Sequence, residues 1–575
     1  MPASPWEFDE PLFFQALAKY DPLRHHPPPP GYPVFIHVAQ LVRFLIPSDF
    51  GTLVTISFVA SLIGFALLAL GFRQLTGDLG TGIAGAMFFY WSPALLIHST
   101  LPISEAGALA LLAGAIYWSA AGSRQQAAGG ETAQLPPAAR RLPPAAFFAL
   151  FAALAVGWRI QYAIFVVPYF LLTVAMMKTW RDRLTALGAF TLVCLIWLTP
   201  LTTALGGVDK MIAYETRQGQ YLAQHDAAES RTGWTPARIA FRFIGRAWGA
   251  ETIAIVVLAF AAAGFVLTIR NRAVWPLTAA AAIYIGVALW VMDPADGVRY
   301  AIPFVLVTAF FAGAASKKAP YTIPAVAGVV FAIYTSSLLV QRRTIASPPV
   351  RAAQFARAAY PPNAVALYEL PLWPHATYFL RDRNPHRVDD GLAKFWDRPD
   401  VPLFLYADGA TPRQDAKIFQ WQPSDAYLKL TRNHYRATSI IPMPPERRYR
   451  IAEGVYAPER DQDGREWRWL APVAALQLPH GPARSLALRI GLPAAAAIEA
   501  NTVTVFVDDV EKTKARVERG LGTNVTVDVP AGAPMIKLAA ATSFIPAEVP
   551  AMRSGDRRRL AVELYELRTG RPSGR

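Results

Sequence analysis

Long apolar runs almost free of charge are confined to the first 340 residues of this 575-residue chain. About 20 consecutive apolar residues cross the hydrocarbon of a bilayer as a helix, so this half reads as lipid-soluble. The segments expected to span are 51 to 72, 81 to 99, 102 to 121, 144 to 157, 160 to 177, 184 to 205, 250 to 268, 275 to 292, 301 to 315 and 320 to 340. The run 144 to 157 is short for a span, which leaves tilt, extension by its neighbours or a re-entrant path open.

Counting ten spans puts Arg73, the group Arg124, Arg140 and Arg141, the group Lys178, Arg181 and Arg183, then Arg270, Arg272, Lys317 and Lys318 on one side. Lys and Arg near span ends resist translocation, so that side reads as cytoplasmic. The opposite side receives residues 1 to 50, the loops 206 to 249 and 293 to 300, and everything after about 341. The first residues, MPASPWEFDEP, are polar and contain no helix able to carry them across, so a first span is expected to be missing from this sequence.

Four regions follow. Residues 1 to 50 form a first extracytoplasmic loop rich in Pro and aromatics, with amphipathic stretches from Leu12 and from Val34 suited to the membrane interface. Residues 51 to 340 form a polytopic α-helical membrane bundle, interrupted over 122 to 143 by a Gly- and Pro-containing linker. Residues 345 to 445 mix helical stretches with short buried-strand runs and read as an α/β region. Residues 446 to 575 alternate apolar and polar positions between Gly and Pro turns, the pattern of a β-sandwich-like domain that is either glycan-binding or a structural cap.

The formal charge of +15 is spread over loops and tail without a basic helix or repeated stacking aromatics, which excludes nucleic acid as a partner. One cysteine, Cys194, rules out an intrachain disulfide and a cysteine metal cluster. No spacing of His or acidic residues makes a persuasive metal site, so the sequence names no cofactor and leaves a divalent ion open but unsupported.

Chemistry is therefore sought at the outer ends of the spans. Asp9 and Glu10 stand side by side before a helix-like stretch, either as a carboxylate base with its neighbour or as a solvated acidic pair at a helix start. HHPPPPGYP at 25 to 33 reads as a rigid strut, with Gly31 permitting a bend. LPISE at 101 to 105 brings Glu105 to a span mouth, where a carboxylate needs a cavity or an ion-pair partner such as Arg159. Arg159 and Tyr162 in GWRIQY, Arg217 and Tyr221 in the loop 206 to 249, and Arg299 with Tyr300 in DGVRYAIP fall on the same side. Each Arg can simply snorkel, yet guanidinium groups converging near carboxylates also suit a phosphate-bearing ligand.

FDEP at 8 to 11, PPPGYP at 28 to 33, LPISE and RYAIP at 299 to 303 together resemble the GT-C superfamily of polyprenyl-phosphate-sugar-dependent glycosyltransferases, in particular its protein mannosyltransferase and aminoarabinose transferase branch. The resemblance implies an acidic first-loop base at Asp9 with Glu10 adjacent. Donor contacts would come from Glu105, Arg159, Tyr162, Arg217, Tyr221, Arg299 and Tyr300. Where family members start the Gly-Tyr-Pro element with His-Pro-Pro, this chain has Pro28, with His25 and His26 upstream. GVYAPE at 454 to 459 and WRWL at 467 to 470 look like the outer β-rich domain of some bacterial members.

The implied reaction is transfer of a sugar, with inversion, from a polyprenyl-phosphate carrier to an extracytoplasmic hydroxyl or amine on a glycan, lipid or protein. A multi-pass transporter or lipid flippase is the leading rival, and a non-catalytic membrane anchor displaying a glycan-binding domain is a third reading. The Ala, Arg and Pro bias suits a bacterium with GC-rich DNA, which places the chain in the inner membrane with its tail in the periplasm.

Overall fold

The computed structural model describes residues 2–127, 143–224, 233–411, 413–423, 430–431, 435–460, 466–552 and 554–570. The linker expected over 122 to 143 lies largely outside them. The chain divides into a helical unit, residues 1–347 with 422–434, and a second unit, residues 348–421 with 435–575.

The helical unit begins with α1 (Glu10–Ala18), α2 (Pro33–Arg43) and the long α3 (Asp49–Thr76). The Ser48 hydroxyl accepts from Gly51 N (3.1 Å) to start α3, and Gly77 ends it in the left-handed conformation. There follow α4 (Leu79–Tyr90), α5 (Pro93–His98), α6 (Glu105–Ala127), α7 (Pro144–Trp158), α8 (Ala163–Met176), α9 (Trp180–Leu205), α10 (Val208–Tyr221) and α11 (Pro236–Ile244). The unit closes with α12 (Glu251–Thr268), α13 (Trp275–Val291), the short α14 (Gly297–Tyr300), α15 (Ile302–Ala315) and α16 (Thr322–Thr344).

Every expected span falls on helix, but the count of about ten does not follow from helix length. Among the described residues five helices are long and apolar enough to cross a membrane: Asp49–Thr76, Trp180–Leu205, Glu251–Thr268, Arg272–Val291 and Thr322–Ala359. A sixth comes from α14 and α15 taken as one span bent by 50°. The expected span 81 to 99 is broken because Ser92 and Pro93 cap and open a new helix, α5, after α4 has stopped. Leu192, Leu195 and Ile196 on α9, Val266 and Leu267 on α12, and Val329 and Ile333 on α16 all face outward. Apolar surface on that scale needs lipid, so this is a multi-pass membrane bundle.

Contacts between the turns show which helix ends lie together. Asn271 Nδ2 donates to Leu75 O (2.7 Å) and Pro320 packs against Gly80, which gathers the turns bearing Arg73, Arg270, Arg272 and Lys317 at one end. At the other end α1 is covered on nearly every side, because Leu12, Phe13, Phe14, Ala16 and Leu17 leave no polar face. Its side chains pack against neighbouring helices, with Phe13 edge-on to Tyr32 and Phe35. The C-terminal end of α2 does expose Leu41, Phe44 and Leu45.

The second unit opens with α17 (Pro348–Ala359) and a five-stranded sheet of β1 (Val365–Tyr368), β2 (His386–Arg387), β3 (Leu403–Asp408), β4 (Lys417–Gln420) and β5 (Ala437–Pro442). Its order is β2-β1-β3-β5-β4, parallel at β2-β1-β3 and antiparallel beyond. Val365, Leu367, Leu403, Leu405 and Ile441 form its core, with Val388, Leu392 and Phe395 of α18 (Val388–Phe395) covering them.

Then come β6 (Arg450–Arg460), β7 (Glu466–Gln477), β8 (Arg484–Gly491), β9 (Ala500–Val507), β10 (Val510–Glu518), β11 (Gly522–Val529), β12 (Met535–Ala540) and β13 (Val562–Gly570), all paired antiparallel. The order is β10-β9-β12-β7-β13-β8-β11, with β6 beside β7. The two runs join where Val562, Glu563 and Leu564 pair with Leu470, Trp469 and Arg468. Alternate residues of both runs, Val503, Val505 and Val507 from one and Val525, Val527 and Val529 from the other, enter a single core.

Candidate active site

Four elements meet at the bundle end opposite the basic turns, and each contributes one charge. Asp9 stands at the N-cap of α1, where its carbonyl accepts from Leu12 N (3.0 Å) and Phe13 N (3.1 Å). Glu105 is the first residue of α6, and the stretch before it is held by Ser57 Oγ donating to Leu101 O (2.8 Å). Arg159 leaves α7 in an extended conformation. Arg299 rides on α14, between the turn at Pro294–Asp296 and α15.

Glu105 Oε1 binds both guanidinium groups, Arg159 Nη1 at 2.9 Å and Arg299 through Nε. Arg159 Nη1 also donates to Ser104 Oγ (2.9 Å), and its guanidinium lies 5.5 Å from the centre of the Tyr162 ring. Arg299 Nη1 reaches Asp9 Oδ2 at 3.9 Å. The formal charges of the four side chains cancel, as burial at this depth requires. Their access to water differs: the side chains of Glu105 and Arg159 are 1% and 3% exposed, that of Arg299 14% and that of Asp9 31%. Asp9 is therefore the member of the set most open to solvent. Glu105 Oε2, Arg159 Nε, Tyr162 Oη, Gln161 Oε1 and Trp158 Nε1 are buried with no protein hydrogen-bond partner. Buried donors and acceptors left over by the protein are what a polar ligand or ordered water can satisfy.

The stretch 25 to 33, expected as an extended strut, is instead folded into turns: His25 is left-handed, His26 N donates to Asp21 O (3.0 Å) and Gly31 N to Pro28 O (3.0 Å). Gly31 has φ +105°, and Tyr32 follows at φ 45°, a left-handed conformation that a tyrosine adopts only where its surroundings hold it. Here Gln161 Nε2 donates to Tyr32 Oη (3.0 Å), and Phe13 packs edge-on against its ring at 5.1 Å. Burial pushes the Tyr32 phenol up from its ordinary value. Burial holds the His25 imidazole below its usual range, with the charge of Asp9 acting in the opposite sense.

Glu10 does not accompany Asp9. Its side chain turns back into the protein, fully buried, where Oε2 accepts from Trp6 N (2.5 Å) and Glu7 N (3.3 Å). Desolvation, with the neighbouring Glu7 charge second, pushes its carboxyl up to about 8. Tyr300 contributes its backbone carbonyl, which accepts from Tyr284 Oη (2.7 Å). Arg217 and Tyr221 lie on α10 with exposed side chains, Arg217 bonding its own helix at Ala213 O. α10 reaches the first loop through a different residue, Tyr214, whose hydroxyl donates to Pro22 O (3.2 Å). His225 of the same loop is outside the described residues.

Sequence reasoning missed Tyr32, His98 and Arg342. His98 is buried within electrostatic reach of Glu105, Arg299 and Arg342. The signal was present for Tyr32, at the bend after Gly31, and for Arg342, a cation at the end of an apolar run. Among the described residues no three His, Cys, Asp or Glu side chains gather as a metal site.

No protein-family model and no curated protein matches the chain. Solved structures with some likeness include ArnT from Cupriavidus metallidurans bound to undecaprenyl phosphate, at 11% identity and a TM-score of 0.49 over 76% of this chain and 94% of that one. The archaeal oligosaccharyltransferase AglB from Archaeoglobus fulgidus gives 10% identity and 0.41 over 94% of this chain and 92% of that one. The arabinofuranosyltransferase AftD from Mycobacteria gives 13% and 0.42 over 99% of this chain and 57% of that one. At these identities and scores the likeness carries no weight for activity, which must be read from this chain's own residues.

Proposed function

We propose that this chain is a membrane glycosyltransferase that moves a sugar from a polyprenyl-phosphate carrier to an acceptor hydroxyl or amine, with inversion. The observation that carries the reading is the placement of Asp9: a partly exposed carboxylate 3.9 Å from Arg299, whose guanidinium is in turn held by buried Glu105. An acceptor hydroxyl at Asp9 loses its proton to the carboxylate as its oxygen attacks the anomeric carbon. The bond to the carrier phosphate breaks on the opposite face, and Arg299, the more exposed of the two guanidinium groups, is the nearby cation able to take the charge that develops there, with Arg159 behind it on the shared Glu105. Arg217 and Tyr221 on α10 would meet the donor or acceptor only outside this cluster.

The bundle ends supply the orientation. The end with Arg73, Arg270, Arg272 and Lys317 faces the cytoplasm, by the rule that basic turns stay inside. The Asp9 end then faces outward. The C-terminal end of α16 lies there too, since Ala3 N donates to Arg342 O (2.7 Å), which supports an extracytoplasmic course for the residues that follow it. The test is transfer from a panel of polyprenyl-phosphate sugars by membranes containing the protein or its Asp9→Asn variant. Removal of a general base lowers the rate by about 10² to 10⁴. Unchanged transfer by Asp9→Asn in folded protein overturns the assignment of the base.

A further inference from the structure

We infer that Arg342, at the end of the last helix of the bundle, is a positioning residue that fixes the strap carrying Asp9. The inference rests on the glycosyltransferase reading for its kinetic consequence, but not for its geometry. Residues 3 to 9 contain no helix or strand of their own, so nothing local sets where Asp9 stands. The strap is fastened instead at four points along its length, three on Arg342 near the C-terminal end of α16 and one on Ser347 just beyond it. Ala3 N donates to Arg342 O (2.7 Å), and Ser4 Oγ accepts from Ser347 N (2.8 Å). The Trp6 ring lies 5.9 Å from the Arg342 guanidinium carbon. Glu7 Oε1 accepts from Arg342 Nη2 (3.1 Å).

Between this latch and Asp9, Glu10 folds back to accept the backbone N–H groups of Trp6 and Glu7, which closes the strap into a turn. Asp9 is thus held from one side by the latch and from the other by Arg299. Arg342 is 2% exposed, so it acts through the strap and has no surface to offer a ligand. The arrangement suits a base that must stand in place before the acceptor arrives, because each freely rotating residue would otherwise have to be ordered during the reaction.

Arg342→Lys keeps the charge and loses the planar fork, while Glu7→Gln keeps the shape and loses the charge. Each is expected to lower kcat about tenfold to a hundredfold, the effect of displacing a catalytic group by an ångström or so, with KM for the carrier within about twofold. The double variant is expected to be no worse than the more damaged single one, since both break the same tie. A rise in KM with kcat retained would show Arg342 acting on the carrier and overturn the inference. A second measurement stands apart from catalysis. In a Cys194→Ala background, Phe8→Cys is labelled with a charged maleimide, and adding Glu7→Gln should speed labelling about tenfold as the strap loosens. Equal labelling rates refute the latch whatever the activity. If Asp9→Asn leaves transfer intact while Glu7→Gln still speeds labelling, the assignment of the base fails and the latch stands.

Discussion

Glu10 shows how far two adjacent carboxylates can differ. Asp9 opens toward solvent, whereas Glu10 is fully buried and keeps its proton up to about 8 because desolvation and Glu7 disfavour its charged form. In the unfolded chain the same group releases its proton near its ordinary 4.5, so between that value and about 8 the unfolded state binds fewer protons and stability falls as pH rises. The parent protein is therefore expected to melt at a higher temperature near pH 5 than near pH 9, and Glu10→Gln to flatten the slope and melt above the parent at the alkaline end. Thermal melts of both proteins across that range check this, and a flat parent profile refutes it. The acidic dipeptide was legible in the sequence, and so was the nearness of Glu105 to Arg159. That the two members of the dipeptide face apart was not, because it depends on Trp6 and Glu7 amides that a sequence presents as ordinary loop.

Helices were legible wherever apolar runs were unbroken, and α3, α9 and α16 fall within a few residues of their expected bounds. α4 and α5 were not separable, since Pro93 inside an apolar run reads as a tolerated kink until Ser92 is seen capping the next helix. The stretch 206 to 249 was read as a loop, whereas Val208–Tyr221 forms α10, and it is Tyr214 of that helix, not Arg217, that bonds the first loop. Helix contacts rest on small residues, which sequence displays only as composition. A Cβ built on Gly264 of α12 would stand 1.7 Å from Phe311 O of α15, so the two backbones touch there. Gly264→Leu should lower stability by at least about 1–3 kcal/mol, the usual penalty of overpacking, and should leave Gly286→Ala, which meets nothing, as a neutral control. Melting of both variants in detergent decides this: equal loss at the two sites would contradict the packing.

At the scale of the molecule, the pattern of basic turns was readable because it depends only on which loops alternate, and the helical unit gathers Arg73, Arg270, Arg272 and Lys317 at one end. The β domain was legible as alternation, but its pairing order, with β13 inserted between β7 and β8, follows from long-range contacts that no local pattern encodes. The orientation is open to a direct experiment. With Cys194→Ala as background, a cysteine at Lys318 should react with a membrane-impermeant reagent only after the membrane is opened. A cysteine at Arg24, in the first loop, should react while that membrane is intact. Both positions are solvent-exposed, so failure to label reflects sidedness and not burial. If the two labels appear under the reverse conditions, every basic turn lies outside, the Asp9 cluster faces the cytoplasm, and an outward-facing acceptor never meets the proposed base.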